Sequence, residues 1–192
     1  MSQLDSQWIF PSFFWSKMHL LRPTDKKAYF IFIDTNLLYY DYDGDSDEMK
    51  QNFIKLGWTV ENRMIEKQLE WIESQLSKAK SNHMDYIIVA GHHPLGTCPG
   101  LEKKYMILVK SLFEKYQITA YLFGHHHAMQ YTKWNGIHYI QVGSTGKTES
   151  VCENSVGWGL NHQHGFALMK LQDQMQMTFY NSSFHGQLRI NH

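Results

Sequence analysis

Two segments of this sequence share a pattern that can bind a metal ion: an apolar run, one glycine and then histidine. The first covers residues 87–92 and ends at His92, and the second covers residues 120–125 and ends at His125. In α/β sheets, side chains just beyond the carboxyl ends of parallel strands face the crevice where ligands bind. The glycine allows the backbone to turn sharply and to approach a ligand closely. We therefore predict that both histidines reach one metal site, where neutral imidazole suits zinc, iron or manganese.

Further histidines flank these two, and their spacing predicts which of them share a side of the chain. In extended backbone, residues i and i+2 face one side and residue i+1 faces the other. His125 and His127 can therefore chelate together, while His126 points away. The same reasoning separates His92 from His93, which the proline after it keeps extended. The predicted ligands are His92, His125 and His127.

A structural interpretation competes with this metal site. A single histidine after a strand is more often part of the packing than a ligand, and a run of three histidines can be a solvated loop with incidental metal affinity. The repetition of the whole pattern within one short chain favours the metal site.

The spacing of apolar residues predicts the elements that must position these histidines. Strands are predicted at residues 28–34, 86–90, 118–123, 136–142, 165–171 and 175–180. Helices are predicted at residues 61–80, with Thr59 as the cap, and from Leu101 to Tyr116, with Leu108 on the core face. The acidic segment 41–48 is interpreted as a loop. The expected fold class is α/β, with a mixed sheet or two packed sheets and helices outside, in one domain over residues 1–192.

Composition excludes several classes of protein. Hydrophobic residues make up 43% of the chain and charged residues 19%, which favours a folded core. Eighteen basic residues balance eighteen acidic ones, which argues against a nucleic-acid binder held by bulk charge. No apolar run reaches the roughly 18 residues that a membrane span needs, and the aromatic opening is not a signal peptide. The sequence leaves open whether Cys98 and Cys152 form a disulfide.

The two histidine motifs also carry a resemblance to a known family. Residues 89–94 (VAGHHP) and 121–127 (YLFGHHH) resemble the last two metal motifs of the purple acid phosphatases, which are calcineurin-like metallophosphoesterases. The animal, tartrate-resistant branch of this family is the most similar. Flanking segments stand in the order expected for that branch, so the likeness spans residues 8–180; they include residues 8–12, 32–35 and 68–71.

The resemblance implies a fold, a metal centre and a reaction. The implied fold has two mixed β-sheets sandwiched between helices (αββα). The implied centre holds ferric iron beside zinc, manganese or a second iron, and a metal-bound hydroxide attacks a phosphate monoester at acid pH. By motif, His92 and His125 would bind the divalent ion and His127 the iron. Relatives often carry an aromatic residue at the position of His93 and an acid at that of His126, and we expect these two histidines to contact the phosphate.

The resemblance also implies where the protein acts and with what. A small phosphate ester is the expected partner, the protein is expected to be a monomer, and the family is secreted or lysosomal. Asn181 begins an N-glycosylation sequon, which matters only in an exported protein.

One part of the family pattern does not occur in this sequence. The earlier motifs of the family, which supply two aspartates, a tyrosine, an asparagine and a proton-donating histidine, precede the segment at Trp8, and Met1 lies only seven residues before it. The chain is therefore expected to be the C-terminal portion of such an enzyme. Two ions in one site need an anionic bridge against their repulsion, and the best-placed carboxylate, Asp34, is expected to be a structural cap instead.

Three functions follow from this combination of motifs. The first is an acid phosphatase by lineage, and the second is a truncated or degenerate remnant that binds at most one metal ion without turnover. The third, which the sequence favours least, is a metallophosphodiesterase.

Overall fold

A computed structural model describes residues 11–100, 102–182 and 186–191 of the chain. Part of the resembling segment 8–12 and Leu101 lie outside these residues. The described elements, in chain order, are β1 (Trp15–Leu21), β2 (Lys26–Phe32), α1 (Asn36–Tyr40), α2 (Asp47–Lys55), α3 (Met64–Ser81), β3 (Tyr86–Ala90), α4 (Lys104–Tyr116), β4 (Ala120–Phe123), β5 (Met129–Trp134), β6 (Ile137–Val142), β7 (Trp158–Leu160), β8 (Gly165–Leu171), β9 (Met175–Asn181) and β10 (Gly186–Asn191).

The strands form one large and one small sheet. The large sheet has the order β1-β2-β3-β4-β6-β5-β7, and its centre, from β2 through β3 and β4 to β6, is parallel. The outer strands β1, β5 and β7 pair antiparallel. The small sheet, in the order β10-β9-β8, is antiparallel.

The alternation of side chains along β2 shows how the layers are stacked. Tyr29 and Ile31 pack with the buried faces of the helices, whereas Ala28 and Phe30 pack with the small sheet. Central parallel strands are buried on both faces in this way. The helices therefore cover one face of the large sheet and the small sheet covers the other. This arrangement confirms the predicted α/β class with two sheets and flanking helices.

Helix α3 confirms the predicted helix at residues 61–80, but it starts differently. It begins at Met64, and its cap residue is Arg63, which has a left-handed backbone with φ of 52°. The expected cap, Thr59, instead accepts a hydrogen bond from the backbone N–H of Asn62, so Thr59 holds the turn before the helix.

Two details of the other helices correct the sequence prediction. The acidic segment is only partly a loop, because α2 begins at Asp47, where the Ser46 hydroxyl accepts a hydrogen bond from the Met49 N–H. In α4, Val109 and Phe113 are fully buried as the spacing predicts, but Leu108 is 45% exposed and Met106 is buried in its place. No helix in the described ranges has the length and apolar character that a bilayer span requires.

Candidate metal centre

The two histidine motifs leave the large sheet at the same edge. Strands β3 and β4 are parallel neighbours, with Ala90 opposite Leu122, so both end on one side. The turns that follow are joined by two backbone hydrogen bonds: Gly91 N–H donates to Leu122 C=O at 3.0 Å, and Gly124 N–H donates to His92 C=O at 3.0 Å. This pairing brings the two glycine–histidine turns into contact, as the sequence pattern predicts.

Three imidazoles lie together above this edge. One potential ligand atom from each of His92, His93 and His125 lies within 4.8 Å of the others, and the ring centroids are 4.7–5.4 Å apart. Within the described ranges, no other set of three or more histidine, cysteine or carboxylate side chains is that close, and no carboxylate joins this one. The structure therefore brings together two of the three predicted ligands, His92 and His125, with His93 as the third ring.

His127 lies beside this cluster rather than in it. The charge of His127 contributes to lowering the pKa of both His92 and His125, which places the three rings within electrostatic range. The alternation expected along this segment does not apply, because His125 has a left-handed backbone with φ of 70° and the segment is not extended. The Nδ1 atoms of His126 and His127 are buried and have no hydrogen-bond partner.

Thr35, which follows β2, holds the first histidine motif. Its Oγ1 accepts hydrogen bonds from the backbone N–H groups of His92 and His93, each at 3.1 Å, and lies 2.7 Å from Nδ1 of His93. A hydroxyl oxygen has two lone pairs and one hydrogen. Since the two N–H donors use both lone pairs, the hydroxyl hydrogen is left for Nδ1, and the proton of the neutral His93 ring is then on Nε2. In this state His93 offers no lone pair to a cation.

The surroundings of His93 also separate it from solvent. Its side chain is 1% exposed, and Tyr39 from α1 stacks on the ring at 4.2 Å. Burial, with the charges of His125 and His92, lowers the pKa of His93 to about 3. A phosphate in solvent therefore cannot reach the side chain of His93. His126 is half-buried, and its ring centre lies 5.3 Å from that of His125.

Partial desolvation lowers the pKa of the other two rings, although His92 lies at the surface. Desolvation lowers the pKa of His92, and the charge of His127 lowers it further. Desolvation also lowers the pKa of His125, with His126 as the next cause. A lower pKa leaves each imidazole neutral over a wider pH range, and neutral imidazole is the form that binds metal.

Two carboxylates near the sheet edge have different roles. Asp34 Oδ1 accepts hydrogen bonds from the backbone and side chain of Asn36, the first residue of α1, and Asp34 lines a crevice with Trp58 and Gln68. The N-cap residue of α1 is Thr35, so Asp34 has a structural role next to the cap position. Burial raises the pKa of Asp34. Glu149, which the sequence did not single out, lies 3.6 Å from Nδ1 of His127, and hydrogen bonds from Lys147 and from the His127 backbone lower its pKa to about 2.

A cavity of about 620 Å³ opens beside His125. Two lysines and three tyrosines are among the residues that line it. The full lining is Tyr39, Tyr40, Asp41, Gly44, Asp45, Lys103, Lys104, Tyr105 and His125. The ammonium of Lys103 lies 5.7 Å from the centre of the Tyr39 ring, and that of Lys104 lies 4.8 Å from the centre of the Tyr105 ring. The spacing of the histidines gave no signal for this cavity, because its lining comes from the acidic segment and from the start of α4.

The three remaining residues of interest, Cys98, Cys152 and Asn181, lie outside the cluster. Cys98 and Cys152 form a disulfide, with their Cα atoms 6.1 Å apart, which answers the question that the sequence left open. This bond ties the turn after His93 to the segment that carries Glu149. Asn181 is the last residue of β9 and is half-buried.

Gly91 gives a direct test of the packing beneath the cluster. A Cβ atom at this position would lie 2.6 Å from the Tyr121 hydroxyl and 2.8 Å from Cγ2 of Thr35. The same hydroxyl donates to the His93 carbonyl at 2.9 Å, so it cannot move freely. We expect Gly91→Ala to lower the free energy of unfolding in urea by about 1–3 kcal/mol, the usual cost of overpacking. Gly146→Ala, where a Cβ atom meets nothing within 4 Å, is the matched control, and equal losses in both variants would contradict this packing.

Comparison with known proteins identifies the family. The calcineurin-like phosphoesterase family profile matches residues 9–129, which include both histidine motifs. Human tartrate-resistant acid phosphatase type 5 is 31% identical over 147 residues, which cover 74% of this chain and 42% of that protein. The rabbit protein of the same name is 28% identical over 203 residues, which cover 95% of this chain and 58% of the relative. The chain thus spans about half the length of these relatives.

Solved structures show a similar fold. GAP50, the anchor in the inner membrane complex of Plasmodium, aligns with a TM-score of 0.71 at 21% identity, over 96% of this chain and 55% of that one. A purple acid phosphatase from yellow lupin seeds aligns with a TM-score of 0.57 at 16% identity, over 85% of this chain and 30% of that one. At these identities the likeness concerns the fold alone. With the matched profile covering more than half of its residues, this chain belongs to the calcineurin-like phosphoesterase family.

Proposed function

We propose that this chain binds one metal ion through His92, His125 and His127, and that this site hydrolyses phosphate monoesters. The observation that carries the proposal is the convergence of imidazoles from two separate turns at one sheet edge. His127 takes the third position in preference to His93, because Thr35 occupies Nδ1 of His93 and leaves the proton on its Nε2.

The residues present suit one cation. Desolvation lowers the pKa of His92 and of His125, which favours the neutral form of both rings, and the ring of His127 lies beside them. When bound, a metal ion supplies Lewis acidity toward a phosphoryl oxygen and lowers the pKa of water. Imidazole ligands suit zinc and iron in particular. The metal is therefore proposed from the donor atoms and from the family, as iron, zinc or manganese.

The cavity beside His125 suits a small phosphate ester. Lys103 and Lys104 supply positive charge at its wall, which Asp41 and Asp45 offset in part, and three tyrosines supply aromatic surface for an organic group. An ester bound there would place its phosphate near His125, with the lysines attracting its negative charge. These residues bind and orient the ester, and the half-buried His126 lies close enough to His125 to contact the phosphate.

A two-metal centre does not fit the residues that the structure describes. Two ions in one site repel each other strongly unless an anion lies between them, and no carboxylate joins the histidine cluster. Asp34, the carboxylate that the sequence suggests, accepts hydrogen bonds from Asn36 instead. We assign no step to a second ion. The same observation favours a second candidate function, in which this chain binds one metal ion without turnover.

The disulfide supports an oxidising location for the protein. Disulfides persist in secreted and other oxidising compartments and are rare in the cytosol. The bond between Cys98 and Cys152 therefore agrees with the secreted or lysosomal location that we propose. The monomeric state stays a prediction.

Hydrolysis of two synthetic esters tests the proposed reaction. The purified chain, loaded with Zn²⁺ or Fe³⁺ at about pH 5, is expected to release nitrophenol from p-nitrophenyl phosphate and not from bis(p-nitrophenyl) phosphate. His92→Ala should remove this activity, while His19→Ala, on the exposed face of β1, should keep it. Preferential cleavage of the diester would identify a phosphodiesterase instead. Metal binding without release from either ester would establish the second candidate.

A further inference from the structure

Glu149 is held against His127 by contacts along both its backbone and its side chain. The backbone N–H of Glu149 donates to the His127 carbonyl at 3.0 Å, and the backbone N–H of His127 donates to Oε2 of Glu149 at 3.2 Å. The other carboxylate oxygen, Oε1, lies 3.6 Å from Nδ1 of the His127 ring. Two residues far apart in sequence are thus joined by two hydrogen bonds, and their side chains approach each other closely.

The segment that carries Glu149 is itself fixed. The N–H of His162 donates to the Glu149 carbonyl at 2.9 Å, and the N–H of Val151 donates to Oδ1 of Asn161 at 2.7 Å. The disulfide of Cys152 follows three residues after Glu149. Hydrogen bonds and the disulfide therefore hold the loop that places the Glu149 carboxylate next to His127.

The side-chain contacts determine where the carboxylate points. Lys147 Nζ lies 2.7 Å from Oε1 and holds this oxygen from the solvent side. On the other side, Nδ1 of His127 is buried and has no hydrogen-bond partner within the described residues. Oε1 of Glu149 faces it at 3.6 Å, slightly beyond hydrogen-bond distance, so a small approach of the carboxylate lets it accept a proton from Nδ1.

A carboxylate in this position selects between the two neutral forms of the ring. When the proton is on Nδ1 it faces the negative oxygen, and when it is on Nε2 the lone pair of Nδ1 faces that oxygen instead. The first form is favoured by charge, and it leaves the lone pair of Nε2 free. Metal-binding histidines commonly donate their second ring N–H to a carboxylate in this way.

We propose that Glu149 is a positioning residue for His127, which keeps the proton on Nδ1 and directs the lone pair of Nε2 to the metal. This inference rests on the proposed function, in which His127 is a ligand. In this proposal the Glu149 carboxylate contacts the imidazole of His127 and does not contact the metal ion.

Nitrogen-15 NMR of the metal-free protein tests the tautomer directly. At about pH 8, above the ordinary pKa of histidine, His127 is expected to be protonated on Nδ1 in the unmodified chain. Glu149→Ala should give a mixture of tautomers, and Glu149→Gln, whose amide oxygen can still accept, should lie between the two. Glu153→Gln alters an exposed carboxylate of the same segment and should leave the spectrum of His127 unchanged.

Zinc titration of the same variants tests the consequence for the metal. Loss of an outer partner of a metal-binding histidine typically weakens metal affinity about 10–100-fold, and we expect Glu149→Ala to fall in this range while Glu153→Gln matches the unmodified chain. Protonation of His127 on Nε2, or a tautomer that Glu149→Ala does not change, would overturn the proposal. So would unchanged zinc affinity in Glu149→Ala. Because the tautomer is measured without metal, failure of zinc to bind the unmodified chain would count against the proposed function and leave the NMR result to decide the role of Glu149.

Discussion

The His125→Ala protein should bind Zn²⁺ at least 100-fold more weakly than the unmodified chain. His125 is the one residue that belongs both to the three-ring cluster and to the wall of the adjacent cavity. Its loss removes a direct ligand, so the effect should reach or exceed the roughly 10–100-fold cost of losing an outer partner. Isothermal titration calorimetry measures the affinity and the stoichiometry together.

The control for this loss is a histidine outside the cluster. His19 is exposed on the edge strand β1, which β2 separates from β3. We expect His19→Ala to keep both the affinity and the stoichiometry. If His125→Ala bound zinc as tightly as His19→Ala does, other histidines would have to hold the ion. The proposed site at the turns after β3 and β4 would then be wrong.

Replacement of both cysteines by serine should lower the free energy of unfolding by about 4 kcal/mol, since a disulfide stabilises the folded state more as the loop it closes grows longer. The bond between Cys98 and Cys152 spans 54 residues of sequence. That loop includes the second histidine motif, so the segments on either side of the metal site are joined covalently. Chemical denaturation of the unmodified chain and of the double variant measures the difference.

Reduction gives an independent check on the same bond. A reducing agent should destabilise the unmodified chain and leave the double variant unchanged. Before reduction, the denatured protein should show no free thiol, because both cysteines are paired. Two free thiols in the unreduced protein, or a stability that reduction does not alter, would contradict the disulfide.

The strands next to the site could be predicted from sequence because their signals are local. The apolar run at residues 86–90 became β3 without a shift, and the run at 165–171 became β8. Each is a short hydrophobic segment between turn-forming residues, for which period and length suffice. The parallel pairing of β3 with β4 then followed from the helix between them, and this placed His92 and His125 at one edge.

The details of the site could not be predicted, because they depend on contacts between distant residues. The left-handed backbone of His125 broke the alternation that assigned sides to the three histidines. His93 is buried by Tyr39, which belongs to the five-residue helix α1 that no periodicity indicates. The role of Thr35 could be predicted in part, because Thr35 also follows a strand of the parallel sheet, at the edge where the histidines lie.

Glu149 shows the limit of sequence reasoning most clearly. It lies in a segment without regular structure, and its approach to His127 depends on backbone hydrogen bonds and on a disulfide that the sequence left open. The carboxylate that the sequence places at a strand end is Asp34, which instead accepts hydrogen bonds from the first residue of α1. The family profile, which ends at residue 129, does not extend to Glu149 either.

A crystal structure of the zinc-loaded chain, with anomalous scattering recorded at the zinc edge, tests the metal site most directly. We expect one strong peak at the carboxyl ends of β3 and β4, with nitrogen atoms of His92, His125 and His127 at about 2.0–2.1 Å from the ion. A peak bonded to His93 in place of His127 would refute the ligand assignment. An ion found only at surface histidines elsewhere would refute the site itself.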